Sequence, residues 1–233
     1  MLFRSSNEVT GCEALLRWRH PERGMVSPAE FIPVAEDTGL IGRLGEWVLA
    51  TACAEAATWP AQIRVAVNVS PVQFKNPGFG LKVAKVLSAS GLAANRLELE
   101  ITEAVLIRDD EAALTILHQL RALGVRIALD DFGTGYSSLS YLQRFPFDKI
   151  KIDRCFVNGL TEIDSSSAIV RAVVNIAAER SMTTTAEGVE TEQQRELLHA
   201  LGCTEMQGYL FSRARPASEI KAMISPADRI AVA

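Results

Sequence analysis

The 233 residues predict a single α/β domain, spanning 1–233, built as a barrel of mainly parallel strands. Three observations carry that expectation. Short apolar strand patterns alternate with helical ones along the chain, the order of repeated β-then-α units on a parallel sheet. Several strands keep polar residues on one face and aliphatic residues on the other. The glycine fingerprint that an open dinucleotide-binding sheet carries after its first strand is absent.

In chain order, the first strand candidate is "CEALLRW" (12–18), an apolar run carrying Glu13. Next comes "RVAVNVS" (64–70), where Asn68 lies between Val67 and Val69. In "RLELEIT" (96–102), Glu98, Glu100 and Thr102 share one face, while Leu97, Leu99 and Ile101 share the other. A helix follows in "DDEAALTILHQLRALG", with Ala113, Ile116, Leu117, Leu120 and Leu123 at helical spacing and a stop at Gly124. "VRIALDD" (125–131) is an apolar run closed by two aspartates. In "DKIKID" (148–153), Lys149, Lys151 and Asp153 alternate with Ile150 and Ile152. After the helical pattern "SSSAIVRAVVNIAAERS" come the strands "TTTAEGV" (183–189) and "CTEMQGYLF" (203–211). The aliphatic faces suit an outer ring of helices. The polar faces then point into a lumen near the strand C-termini, where barrel enzymes keep their active sites. These are seven strands, one short of an eight-stranded barrel.

Composition narrows the function. With 48% apolar and 22% charged residues the chain can fill one core. A net charge of −4 argues against a broad grip on a nucleic-acid polymer, so an anionic substrate would need local cations or metal. Cys12, Cys53, Cys155 and Cys203 form no CxxC pair, which points to reduced thiols and away from zinc or a disulfide framework. "MLFRSSNEVT" lacks the apolar middle of a signal peptide and no run is long enough to span a bilayer. The expected setting is the cytoplasm.

The polar residues at strand ends are Glu13, Asn68, Glu100, Asp130, Asp131, Lys151 and Glu187. One such acid alone more often caps the next helix. Five acids converging on one barrel mouth could not all stay ionised, so either several protonate or cations neutralise them. Carboxylates with an amide carbonyl are hard oxygen donors, suited to Mg²⁺ or Mn²⁺. If Asp130 points inward, the turn at "FGTG" can swing Asp131 to the same mouth, Gly133 and Gly135 supplying the permissive backbone. One carboxylate can then bridge two ions. The hydroxyls of "TGYSS" suit capping of the next short helix. "DFG" comes without the catalytic loop or nucleotide loop of a kinase, which excludes that match.

"EALLRW" (13–18), "NVS" (68–70), "ELEITE" (98–103), "DDFGTGYSSLSYL" (130–142), "KID" (151–153), "AEGVE" (186–190) and "QGYLFSR" (207–213) occur in that order. Together they resemble the EAL domain family, phosphodiesterases acting on the bacterial second messenger cyclic di-GMP, over almost the whole chain. The resemblance implies a TIM-like (β/α)8 barrel that hydrolyses cyclic di-GMP to linear 5′-pGpG with two Mg²⁺ or Mn²⁺ ions. It implies Glu13, Asn68, Glu100 and Asp130 as ligands of the first ion, and Asp130, Asp131 and Glu187 as ligands of the second. Lys151, with Asp153 of the same motif, matches the catalytic segment that orients the attacking water; Glu103 matches the anchor of the loop after "DDFG". Arg17 and Gln207 match substrate-contacting positions. The bland alternatives are a Lys151–Asp153 salt bridge, an Arg17 paired with a nearby acid, and a Gln207 that only satisfies loop backbone.

Members of this family usually carry a helix and a "YQPIV"-like strand before the EAL segment, and "MLFRSSNEVTG" offers neither. The expectation is therefore a barrel lacking its first strand, whether as a fragment or a natural variant, with open edges that a second copy would cover as a homodimer. A soft wall at Glu13 also admits an alternative function, a cyclic di-GMP receptor that binds without turnover.

Overall fold

The computed structural model describes residues 1–4, 8–107, 110–133, 139–161 and 166–224. Ten strands lie among them: β1 (Leu2–Arg4), β2 (Val9–Ala14), β3 (Trp18–His20), β4 (Gly24–Val26), β5 (Arg64–Asn68), β6 (Leu97–Thr102), β7 (Arg126–Phe132), β8 (Lys149–Ile152), β9 (Thr183–Ala186) and β10 (Glu205–Met206). The helices are α1 (Pro28–Asp37), α2 (Ile41–Ala57), α3 (Pro71–Phe74), α4 (Phe79–Ser90), α5 (Ala104–Ile107), α6 (Asp110–Ala122), α7 (Leu139–Arg144), α8 (Arg154–Asn158), α9 (Ser166–Glu179), α10 (Glu192–Ala200) and α11 (Ala217–Ile224).

Eight strands close a barrel in the order β1-β10-β9-β8-β7-β6-β5-β2, while β3 and β4 form a separate hairpin. All seven strands expected from the sequence are staves of it. The expected gap is not there. Leu2–Arg4 fills it, pairing antiparallel with β10 through Phe3↔Met206 and with β2 through Leu2↔Gly11. The direction follows from chain length: residues 5–8 are too few for the crossover that parallel neighbours require, so β1 and β2 form a hairpin. Three residues without period-2 alternation carried no strand signal, which is why this stave went unseen in the sequence. With the barrel closed, the exposed edge that a second copy was expected to cover is gone.

Strand parity sorts the side chains as expected. Leu97, Leu99, Ile101, Ile127, Leu129, Ile150 and Ile152 are buried in the apolar layer between strands and helices. From α6, Ala113, Ile116, Leu117 and Leu120 pack into that layer. Leu123 does not: it follows the last helical residue and is 40% exposed, as the chain turns away at Gly124 (φ 89°).

The lumen is polar and falls into two layers. At the lower level the buried Lys149 ammonium lies 2.5 Å from Glu98 Oε1 and 2.7 Å from Glu205 Oε2. Arg64 reaches the same Glu205 at 2.6 Å, and Arg126 reaches Glu98 at 3.3 Å. Two residues further along the chain in each case, Glu100 (β6), Lys151 (β8) and Gln207 (just after β10) begin the upper layer at the C-terminal mouth. Period-2 geometry puts one layer above the other.

Candidate active site

The upper layer is organised around one cation. Lys151, 1% exposed at the end of β8, places Nζ 2.8 Å from Glu100 Oε2 (β6), 2.8 Å from Glu187 Oε1 (after β9) and 3.1 Å from Asp130 Oδ1 (β7). Burial alone would lower the Lys151 pKa, but the charges of Glu100, Glu13, Asp130 and Glu187 outweigh it and hold the ammonium well above 10.5. The expected competitor, a Lys151–Asp153 salt bridge, is not formed. Asp153 instead caps α8, its Oδ1 accepting from the Cys155 N–H at 2.8 Å.

Glu13 stands at the end of β2, beyond the reach of the β1 pairing. Its neighbours compensate: Asn68 Nδ2 donates to Oε1 at 2.7 Å and Gln207 Nε2 donates to Oε2 at 2.6 Å. Burial would raise the Glu13 pKa; the charge of Lys151 and these two hydrogen bonds bring it below 4.5. Gln207 thus bridges the two strands above the short β1 and does more than satisfy loop backbone.

Asp130 and Asp131 pose a geometric problem, because adjacent strand residues point to opposite faces. Asp131 itself breaks the alternation. Its φ is 54°, in the left-handed region, where the β7–β8 register shifts between Leu129 and Phe132. Its N–H donates to Asp130 Oδ1 at 2.9 Å. The reversal therefore precedes the glycine-rich turn to which the sequence assigned it. Gly133, at φ 97°, continues the turn, and its N–H stands 3.5 Å from Glu103 Oε1. Gly135 and the hydroxyls of Thr134, Tyr136, Ser137 and Ser138 lie outside the described residues.

Carboxylate oxygens of Asp130, Asp131 and Glu187 all lie within 4.8 Å of one another. Several of the acids are held toward protonation. Burial pushes the Glu100 carboxyl well above 4.5, with Lys151 opposing and Glu13 and Asp130 adding to it. Burial raises Glu187 to about 7, Lys151 opposing and Asp130 adding. Burial and the neighbouring charges of Asp130 and Asp153 raise Asp131. One lysine cannot balance this set. Glu100 Oε1 and Gln207 Oε1 are moreover buried without a hydrogen-bond partner. An all-oxygen donor set with an orphaned carboxylate oxygen fits a hard divalent cation.

Over the mouth lies a cleft of ≈ 1090 Å³, lined by Glu13, Arg17, Asp130, Lys151, Glu187 and Gln207 and running outward past Trp47 and Ile220. Arg17 sits exposed on its rim, hydrogen-bonded to the Leu16 carbonyl at 2.8 Å; among the described residues no acid forms a salt bridge with it. Two rim residues were missed in the sequence: Tyr209, 61% exposed, and Arg213, whose guanidinium lies 4.3 Å from the Tyr209 ring centre. Their places inside "QGYLFSR" were the available signal.

Fold and site define an α/β-barrel protein whose strand ends form an acidic, cation-ready mouth. The model of the EAL domain matches residues 3–214, and the chain belongs to that family. It is 52% identical over 229 residues to an uncharacterized signaling protein of Caulobacter vibrioides, covering 98% of the chain and 28% of that protein. It is 46% identical over 221 residues to the bifunctional diguanylate cyclase/cyclic di-GMP phosphodiesterase MucR of Pseudomonas aeruginosa, covering 93% of the chain and 32% of that protein. The chain thus spans about a third or less of the length of these relatives. Among solved structures, the PaMucR phosphodiesterase in complex with c-di-GMP superimposes with a TM-score of 0.90 at 45% identity, covering 94% of this chain and 91% of that one. No described helix is long and apolar enough to cross a membrane.

Proposed function

We propose that the chain is a metal-dependent phosphodiesterase that opens cyclic di-GMP to linear 5′-pGpG in the cytoplasm. The observation that carries this reading is the buried Lys151 ammonium, pinned by Glu100, Asp130 and Glu187 beneath an all-oxygen donor set. In this reading Glu13, Asn68, Glu100 and Asp130 hold one Mg²⁺ or Mn²⁺ ion. Asp130, Asp131 and Glu187 hold a second. Two such ions, when bound, would supply positive charge that offsets the carboxylates, admits an anionic phosphodiester and lowers the pKa of the attacking water.

The remaining roles belong to the chain's own groups. Lys151, held by Glu100, Asp130 and Glu187, is placed to orient the water as a donor and to add positive charge where negative charge develops at phosphorus. Gln207 and Asn68 hold the Glu13 carboxylate from both sides. Glu103 stands behind the Asp130–Gly133 segment, and Asp153 anchors α8 next to it. Arg17 offers a charged fork to a phosphate or base edge at the rim. The water oxygen bonds to phosphorus as the bond to a ribose 3′ oxygen breaks; a proton from the water ends on that oxygen as the 3′ hydroxyl, and the phosphate stays on the 5′ side.

Chromatography of cyclic di-GMP incubated with the purified chain tests this, with Mn²⁺, with chelator, and with Asp130→Asn. Linear product that depends on metal and vanishes in the variant is the expected result. Retained binding without product would favour the receptor reading instead. That alternative rested on an open barrel with a soft wall at Glu13; the barrel is closed, and the wall is bridged by Gln207.

A further inference from the structure

The short helix α8 follows directly on the strand that carries Lys151, and it lies against Gly133, just past the strand β7 that carries Asp131, and against Gly188, next to Glu187. A Cβ built on Gly133 would stand 2.7 Å from Phe156 Cε2 and 2.8 Å from Cζ. A Cβ built on Gly188 would stand 2.6 Å from Arg154 Cβ. Both glycines have positive φ, 97° and 69°. Gly133 lies two residues after Asp131, and Gly188 directly follows Glu187. Neither backbone can move toward α8, and neither has room for a methyl group.

We propose that Phe156 is a positioning residue: its ring, set against Gly133, holds the left-handed Asp131 at the spacing from Asp130 and Glu187 that a second cation requires. The inference rests on the two-ion reading of the site given above. A non-glycine residue in the left-handed region persists where its surroundings over-determine it. On one side of the Asp130–Gly133 segment Glu103 Oε1 stands 3.5 Å from the Gly133 N–H. On the other side the Phe156 ring occupies the space a Gly133 side chain would take. The ring is itself partly buried against the main apolar core, and α8 is anchored by the Asp153 cap, so the wedge has a fixed base. In this proposal Phe156 acts through the Asp131 backbone. On the Gly188 side the contact is with Arg154 Cβ, which any non-glycine residue supplies, so there the informative substitution is in the glycine.

The test is a calorimetric titration of the full chain with Mn²⁺, paired with electron paramagnetic resonance of the loaded protein and a thermal melt. The wild type is expected to bind two ions and to show the signal of a coupled pair. Phe156→Ala should keep the first ion at wild-type affinity, bind the second about ten- to a hundredfold more weakly, and show an isolated-ion signal at sub-saturating Mn²⁺. Phe156→Leu, which retains most of the apolar volume and guards against an unfolded alanine variant, should fall between them. Gly188→Ala should weaken the second ion from the Glu187 side. If both Phe156 variants melt cooperatively and bind two ions with wild-type affinity, Phe156 does not position Asp131. A wild type that binds fewer than two ions overturns the two-ion reading itself, and the proposal with it.

Discussion

Asp131 concentrates the chemistry and the strain of the site in one residue. Its left-handed backbone lets two consecutive carboxylates serve one mouth, and aspartate and asparagine accept that conformation better than most side chains. Asp131→Asn should therefore melt close to wild type while losing phosphodiester hydrolysis. Asp131→Val should in addition lose about 1–2 kcal/mol of stability, because a β-branched side chain clashes at positive φ; chemical denaturation of the two variants separates the effects. If valine melts like asparagine, the left-handed backbone is not a constraint. That two neighbouring aspartates would share a site was legible in "LDDFG". Where the chain reverses was not, since the sequence marks only the glycines, and the reversal happens on an aspartate.

At the scale of elements, β6 and β8 each carry two inward polar residues spaced by two, and Glu205 of β10 is followed by Gln207 just past the strand end. The sequence showed the alternation of Glu98 with Glu100 and of Lys149 with Lys151, because period 2 is a local property. It did not show that Glu205 and Arg64 complete a lower ion layer, since those contacts cross 141 positions of sequence. Burial alone would raise the Glu205 pKa; the charge and hydrogen bond of Lys149, then the charge of Arg64, outweigh it and hold the carboxyl below 4.5. A carboxyl depressed on folding stabilises the fold above its unfolded pKa, and that contribution is lost as pH falls through the folded pKa. Glu205→Gln should thus cost about 3 kcal/mol near neutral pH, the low end for breaking a buried pair because Lys149 keeps Glu98. It should also flatten the decline in stability below about pH 4.5. Urea denaturation at several pH values checks both; an acid limb unchanged from wild type would mean that Glu205 is not a linked group.

At the scale of the whole molecule, closure of the barrel depends on the three-residue stave β1. Leu2 is 1% exposed, and Phe3 stacks on Phe211 with ring centres 4.7 Å apart. Leu2→Ala is expected to cost about 2–4 kcal/mol, read from urea unfolding. A loss under about 0.5 kcal/mol would mean that β1 is not part of the cooperative fold. By itself the sequence determined the seven parallel staves, the helices between them, the outward aliphatic faces and the order of the acidic strand ends. Those follow from periodicity and residue chemistry, which are local. Only the tertiary structure decided that a three-residue strand closes the ring, that Gln207 bridges to Glu13, that Lys151 pairs with three acids and not with Asp153, and that α8 lies against Gly133 and Gly188. Each of those is a contact between segments far apart in the chain, and contacts of that kind are set by how the barrel closes in space.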